Sequence, residues 1–159
     1  PVDVKKIENA ISSTNRNVYK IARRVPWLMN LNMRFLISWQ KKNPVKFISK
    51  MSYKFSGPDK ETIDSSIVQE IMKDIYLMSN RKSWRGYAGD VILQSKNWGF
   101  DLNRIEPEVM VFQANNDTSS PPVVSEYFCE MIQDCKLYCY ENAGHLWHLE
   151  NLSEILSKI

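Results

Sequence analysis

Apolar residues recur at helical spacing through the first half of the chain. Val18, Ile21, Ala22 and Val25 fall at i, i+3, i+4 and i+7, with Ser12, Ser13 or Thr14 as the N-cap. Pro26 ends that segment, because an interior proline removes a backbone donor and clashes with the preceding turn. A second helix is predicted from Pro26 to about Lys41, placing Leu28, Leu31, Phe35 and Trp39 near one face. Asn43-Pro44 starts a short helix, with asparagine as N-cap and proline at the first helical position. Its apolar side is Phe47, Ile48, Met51 and Phe55. Gly57-Pro58-Asp59 reads as a loop, and Ile67, Val68, Ile71, Ile75 and Met78 mark another helix.

Beyond about Arg85 the period changes. Glu108 to Gln113 is a short, nearly continuous apolar run, as expected of a strand buried on both faces of a parallel sheet. Pro121-Pro122 opens a helix carrying Val123, Tyr127, Phe128 and Met131, and Lys136 to Tyr140 is a second strand. Strand, helix and strand in that order predict a right-handed βαβ crossover and an α/β fold class. A last helix is expected from about Leu149 to Ser157, with Leu152, Ile155 and Leu156 as its apolar residues. Two parallel strands do not make a stable sheet alone, and the strand near Val109 would leave one hydrogen-bonding edge unpaired. The rest of the sheet is expected to come from elsewhere.

Composition narrows the class. At 159 residues, 43% hydrophobic, with five glycines and seven prolines, the chain is neither disordered nor fibrous. No apolar run approaches the roughly 20 residues that span a bilayer. The opening Pro-Val-Asp-Val-Lys-Lys is neither a signal peptide nor an initiator methionine, so a processed product or a renumbered fragment is expected. The cysteines, 129, 135 and 139, are odd in number and form no C-x-x-C pair. A disulfide scaffold and a zinc cage are therefore not expected, and an intracellular, reducing location is, either cytoplasmic or at a membrane surface.

The charge is divided. Residues 1–85 hold 17 basic and 7 acidic side chains, and residues 86–159 hold 4 and 11. From Asn9 to Pro58 there are ten basic residues and no acidic one. The simplest account is a solvated helical face. The functional account is attraction to an anionic membrane surface or an anionic substrate. No nucleic-acid motif accompanies the charges, so no nucleic-acid partner is expected.

The candidate chemistry lies in "EVMVFQANNDTSSPP", an apolar strand running into a turn that ends at Asp117, and in "CKLYCYENAGHLWHLE", a strand running into Ala-Gly-His145. Together with "YAGDVILQSKNWGFDLNRI", which contains Trp98 to Leu102, these segments resemble the C-terminal half of the α/β-hydrolase superfamily. The superfamily's order is nucleophile, acid, histidine. The resemblance implies that Asp117 is the acid, that His145 is the base, and that residues 86–159 are part of the core. The helical residues 1–85 would be its cap, or lid. Such a carboxylate orients the imidazole, which takes a proton from the nucleophile and returns it to the leaving group. The departures are Ala114 where the family often has glycine, and Glu108 where it often has proline. None of Gly57, Gly86, Gly89, Gly99 and Gly144 belongs to a G-x-S-x-G elbow, so the nucleophile-bearing N-terminal half is absent from these residues.

Other side chains carry weaker expectations. Trp147 lines the pocket mouth or packs on the last helix. Trp27, Phe35 and Trp39 form an acyl-binding wall or are core. His148 with His145 lacks a third metal ligand and is expected at the start of the last helix, while Asn115 and Asn116 are turn residues. No cofactor or metal is implied. Three functions compete. The first is the acid–base part of an esterase- or lipase-like enzyme, partnered by the N-terminal half of the core and a small ester or lipid-like substrate. The second is a non-catalytic binding relative, and the third is a membrane-surface protein. The coding sequence upstream of Pro1 separates the first two by whether its elbow holds a nucleophile.

Overall fold

The computed structural model describes residues 2–52, 55, 57–79 and 83–159. Pro1, Lys54 and the side chain of Met51 lie outside the described residues. In chain order the helices before the first strand are α1 (Val4–Ala10), α2 (Ser13–Arg24), α3 (Pro26–Lys42), α4 (Pro44–Ser52), α5 (Pro58–Asp64), α6 (Ser66–Ser79) and α7 (Arg85–Gln94). Then come β1 (Val109–Ala114), α8 (Pro122–Met131), β2 (Cys135–Tyr140) and α9 (Leu152–Leu156). The chain forms two compact units, Val18–Ser95 and Pro1–Asn17 with Lys96–Ile159. The change of period near Arg85 gave no sign that the first 17 residues group with the C-terminal part.

In the helical unit, α3 packs against α4 and α7, and α4 packs against α5 and α6. Ala22, Met29, Ile37, Phe47, Ile48, Ile63, Val68, Met72 and Ala88 are buried there. Full burial of a side chain such as Ile63 contributes roughly 1.5–3 kcal/mol. Trp39 meets Phe47 edge-on at 5.5 Å, and Phe47 meets Tyr76 at 5.2 Å.

Two sequence expectations, for α3 and for Gly57-Pro58-Asp59, need correction here. The packed side of α3 is the stripe Met29, Ile37 and Gln40, whereas Trp27 and Phe35 are 67% and 66% exposed. Helical spacing is satisfied by either stripe, so periodicity could not choose between them. The helix that Ile67, Val68, Ile71, Ile75 and Met78 mark is present as α6, with Val68 and Met72 buried and Ile67, Ile75 and Met78 exposed. Gly57-Pro58-Asp59 is less a loop than the start of α5. Gly57 has φ of 57°, a conformation favouring glycine, and Pro58 occupies the first helical turn.

The second unit is built on the sheet. β1 and β2 pair in parallel, Val109 opposite Cys135 through Ala114 opposite Tyr140. α8 packs on both strands. Val2, Leu102, Tyr127 and Ile132 form the core, with Trp98, Val109, Phe128 and Cys135 packed around them. Phe112 stacks on Tyr138 at 5.1 Å, a pairing the register dictates. Asp3 caps α1, its carboxylate accepting from the N–H groups of Lys5 and Lys6 at 3.0 and 3.1 Å. Its own N–H donates to the Tyr127 hydroxyl at 2.9 Å, tying the N-terminal segment to α8. Ser12 is the N-cap of α2, accepting from Asn15 N–H at 3.2 Å.

Two further expectations are corrected in this unit. Cys129 and Cys135 form a disulfide, with Cα atoms 5.1 Å apart, and Cys139 is free and exposed. The tight reversal between the end of α8 and the start of β2 brings the pair together, which counting cysteines could not reveal. The cysteine argument for a reducing compartment therefore falls. The expected helix from Leu149 to Ser157 is instead a 3-10 turn (Trp147–Leu149) and the short α9, with Leu152 and Leu156 exposed. Asn151 donates to the Trp147 carbonyl at 3.0 Å between them. No described helix is long and apolar enough to cross a membrane.

The Asp3–Tyr127 bond has a testable consequence. Tyr127→Phe keeps the ring in the core but strands the Asp3 N–H, at an expected cost of about 1 kcal/mol. Amide exchange over Val4–Ala10 should accelerate. Unchanged exchange there would show that this contact does not hold α1.

Candidate active site

The acid turn begins where β1 ends. Asn115 N–H donates to the Tyr140 carbonyl at 2.9 Å, extending the ladder by one residue. Asn116 N–H donates to the Ala143 carbonyl at 2.9 Å, joining the turn to the loop after β2. Asp117 N–H closes the turn on the Ala114 carbonyl at 3.2 Å. Asn142, with φ of 54°, is the positive-φ non-glycine among the described residues; asparagine tolerates that region. Ala114 is not among the positive-φ positions, so its backbone does not require a glycine for this turn.

Asp117 divides its two oxygens. Oδ1 accepts from the N–H groups of Ser119 and Ser120 at 2.7 and 2.8 Å. Oδ2 lies 2.8 Å from Nδ1 of His145. A carboxylate only accepts, so Nδ1 carries the proton and, in the neutral ring, Nε2 carries the lone pair. Asp117 is 9% exposed and His145 is 40% exposed. Ala143, Gly144 and Leu146, around the histidine, are buried. Burial pushes the Asp117 carboxyl up, but the His145 hydrogen bond and charge and the two serine N–H groups outweigh it, and the net effect is downward.

The structure thus brings Asp117 and His145 together across 28 residues of sequence. Trp147, two residues after the histidine, lies against Tyr140 of β2, ring centroids 3.9 Å apart and planes tilted by 31°. His148 sits in the 3-10 turn, its Nδ1 3.1 Å from the His145 carbonyl oxygen. Trp27 and Phe35 belong to the other unit, on the exposed side of α3. Asn115 does more than turn the chain: its amide donates to Glu141 at 2.6 Å, bridging the two loops. Among the described residues no group of three or more His, Cys, Asp or Glu is arranged to hold a metal ion.

Sequence reasoning missed Gln113, Ser119, Ser120 and Ser125. Gln113 is buried, and its amide donates to the carbonyls of Ala114 and Ser120 at 2.6 and 3.1 Å. Its Oε1 accepts from the Ser125 hydroxyl of α8. A glutamine inside an otherwise apolar strand was the available signal, because a buried amide demands partners.

No protein-family model and no solved structure matches the chain. A stretch of 59 residues is 34% identical to proline iminopeptidase PfmaB of Pestalotiopsis fici, covering 37% of this chain and 21% of that protein. The chain spans about a fifth of that relative's length. The likeness is local; it suggests the α/β-hydrolase superfamily and a hydrolase-type function at most.

The depressed Asp117 carboxyl links the site to acid stability. The folded state holds this proton less tightly than the unfolded chain. Its stabilising contribution is therefore present above the ordinary carboxylate range and lost as pH falls through the folded value. Asp117→Asn should be less stable than the parent at neutral pH, and the gap should close in acid. Urea midpoints across pH check this; a gap that stays constant would exclude the linkage.

Proposed function

We propose that this chain supplies the acid and base of an α/β-hydrolase-type enzyme, acting through a nucleophile–histidine–aspartate triad on an ester or lipid-like substrate. The observation that carries the reading is the 2.8 Å approach of His145 Nδ1 to Asp117 Oδ2, made between loops at the ends of two paired parallel strands. Ligand sites of open α/β sheets lie at such strand ends. In this reading His145 Nε2 takes the proton of the attacking nucleophile, and Asp117 stabilises the resulting imidazolium. The proton then passes to the leaving group, and water repeats the sequence to release the acyl product. The local likeness to a proline iminopeptidase supports the hydrolase class. The nucleophile and the remaining strands come from an N-terminal half of the core. β1 has one strand neighbour among the described residues, β2, and its other edge suits that half.

The chain alone should show no substantial turnover of short nitrophenyl esters, since the elbow and oxyanion donors that supply much of the rate are not in it. Joined to a nucleophile-bearing half, Asp117→Asn should lower kcat on the order of 10⁴-fold, and His145→Ala at least as much. Robust esterase activity of the isolated chain that disappears in His145→Ala would overturn the division of the site.

A second reading, attachment to an anionic membrane surface, is favoured by the solvent side of α3. Trp27, Leu31 and Phe35 recur there at four-residue spacing, with Arg34, Lys41 and Lys42 also exposed. Aromatic residues beside cations suit a headgroup layer. Co-sedimentation should be stronger with anionic than with neutral vesicles, weaken with salt, and fall in Trp27→Ser/Phe35→Ser. Equal binding to both vesicle types would rule the surface out.

A further inference from the structure

We propose that Gln113 is a positioning residue for the Asp117 carboxylate, clamping both ends of the acid loop from inside the sheet. The inference rests on the acid–base reading of Asp117 and His145 above. Gln113 is the penultimate residue of β1 and is 3% exposed, yet it is polar. Burying an amide is unfavourable unless its donors and acceptor are matched.

Here both donors and the acceptor are used. Nε2 donates to the Ala114 carbonyl, where the loop leaves β1, at 2.6 Å. It also donates to the Ser120 carbonyl, where the loop returns towards α8, at 3.1 Å. Oε1 accepts from the Ser125 hydroxyl, which fixes the amide plane from α8. The six residues after Gln113's neighbour are thus bridged by one side chain.

The bridge bears on the carboxylate through Ser120. Ser120 is gripped on both sides of its Cα, its carbonyl by Gln113 and its N–H by Asp117 Oδ1. With Oδ1 engaged by Ser119 and Ser120, Oδ2 is the oxygen directed at His145. If the Ser120 backbone is released and its φ and ψ change, Oδ1 loses a donor, and the carboxylate can rotate about its own bond. An apolar residue would fill the volume at position 113 but could not hold the Ser120 carbonyl. A glutamate would keep the shape but, when ionised, would repel both carbonyls.

The test reads the Asp117–His145 pair directly, in the full chain. The Asp117 carboxyl is followed by carbon-13 NMR across pH, and the His145 Nδ1–H by its downfield proton resonance. Parent, Gln113→Leu, Gln113→Glu and Ser125→Ala are compared under conditions where circular dichroism shows each folded. In Gln113→Leu the Asp117 midpoint should move up toward the ordinary carboxylate value, and the downfield resonance should broaden or vanish. Gln113→Glu should behave alike. Ser125→Ala, which removes one bond and leaves both clamps, should shift the midpoint in the same direction by less; it also serves if the leucine variant does not fold. A lowered melting temperature with the Asp117 midpoint and the Nδ1–H resonance unmoved would reduce Gln113 to packing and overturn the proposal. Asp117→Asn is the control for the underlying reading. A downfield resonance that survives it would mean that the acid–histidine pair itself is misassigned, whatever Gln113 does.

Discussion

Parallel pairing of β1 with β2 is the constraint on which the C-terminal unit depends. Aligning Ala114 with Tyr140 makes both strands end at the same level, so the loops that follow leave side by side. Two backbone bonds, Asn115 to Tyr140 and Asn116 to Ala143, continue the ladder past the strands and bring the acid turn against the histidine loop. The carboxylate reaches the imidazole because the peptides beneath it are already joined. The side-chain bond completes an approach that backbone geometry has largely made, which keeps the entropy lost in forming the pair small.

The same sheet shows how the apolar and polar parts of the unit cooperate. α8 covers the face that carries Val109, and Phe112 stacks on Tyr138 across the other. The last turn of the sheet is different in kind. Its buried residues are Gln113 and Ala114, one satisfied by three hydrogen bonds and the other small enough for the chain to turn at once. Apolar packing fixes the strands, and polar packing takes over where they become loops. Hydrogen bonds are directional in a way that dispersion contacts are not, so the loop is held in one shape rather than merely held close.

Much of this was legible in the amino-acid sequence, for physical reasons. β1 announced itself by a nearly continuous apolar run followed by Asn-Asn-Asp, and α8 by Pro121-Pro122 followed by apolar residues at helical spacing. Asp117 and His145 stood out because each follows a strand. What stayed hidden depended on tertiary context. α1 and α5 are seven residues each, too short for periodicity to register. The buried stripe of α3 was indistinguishable from Trp27, Leu31 and Phe35 until its neighbours were in place. The Cys129–Cys135 bond depends on the turn between α8 and β2, and the partners of Gln113 are set by where the loop returns to α8.

A site assembled from strand ends is indifferent to the length of chain between its members. The positions of Asp117 and His145 are set by the pairing of the two strands and not by the 28 residues of chain that separate them. The site is intolerant of slippage. Sliding β2 by one residue against β1 would present Tyr138 and Tyr140 to the wrong face and carry the histidine loop about 3.3 Å along the strand axis, beyond reach of the carboxylate. For this chain, registry rather than spacing sets the geometry, and the Phe112–Tyr138 stack is the contact that reports it.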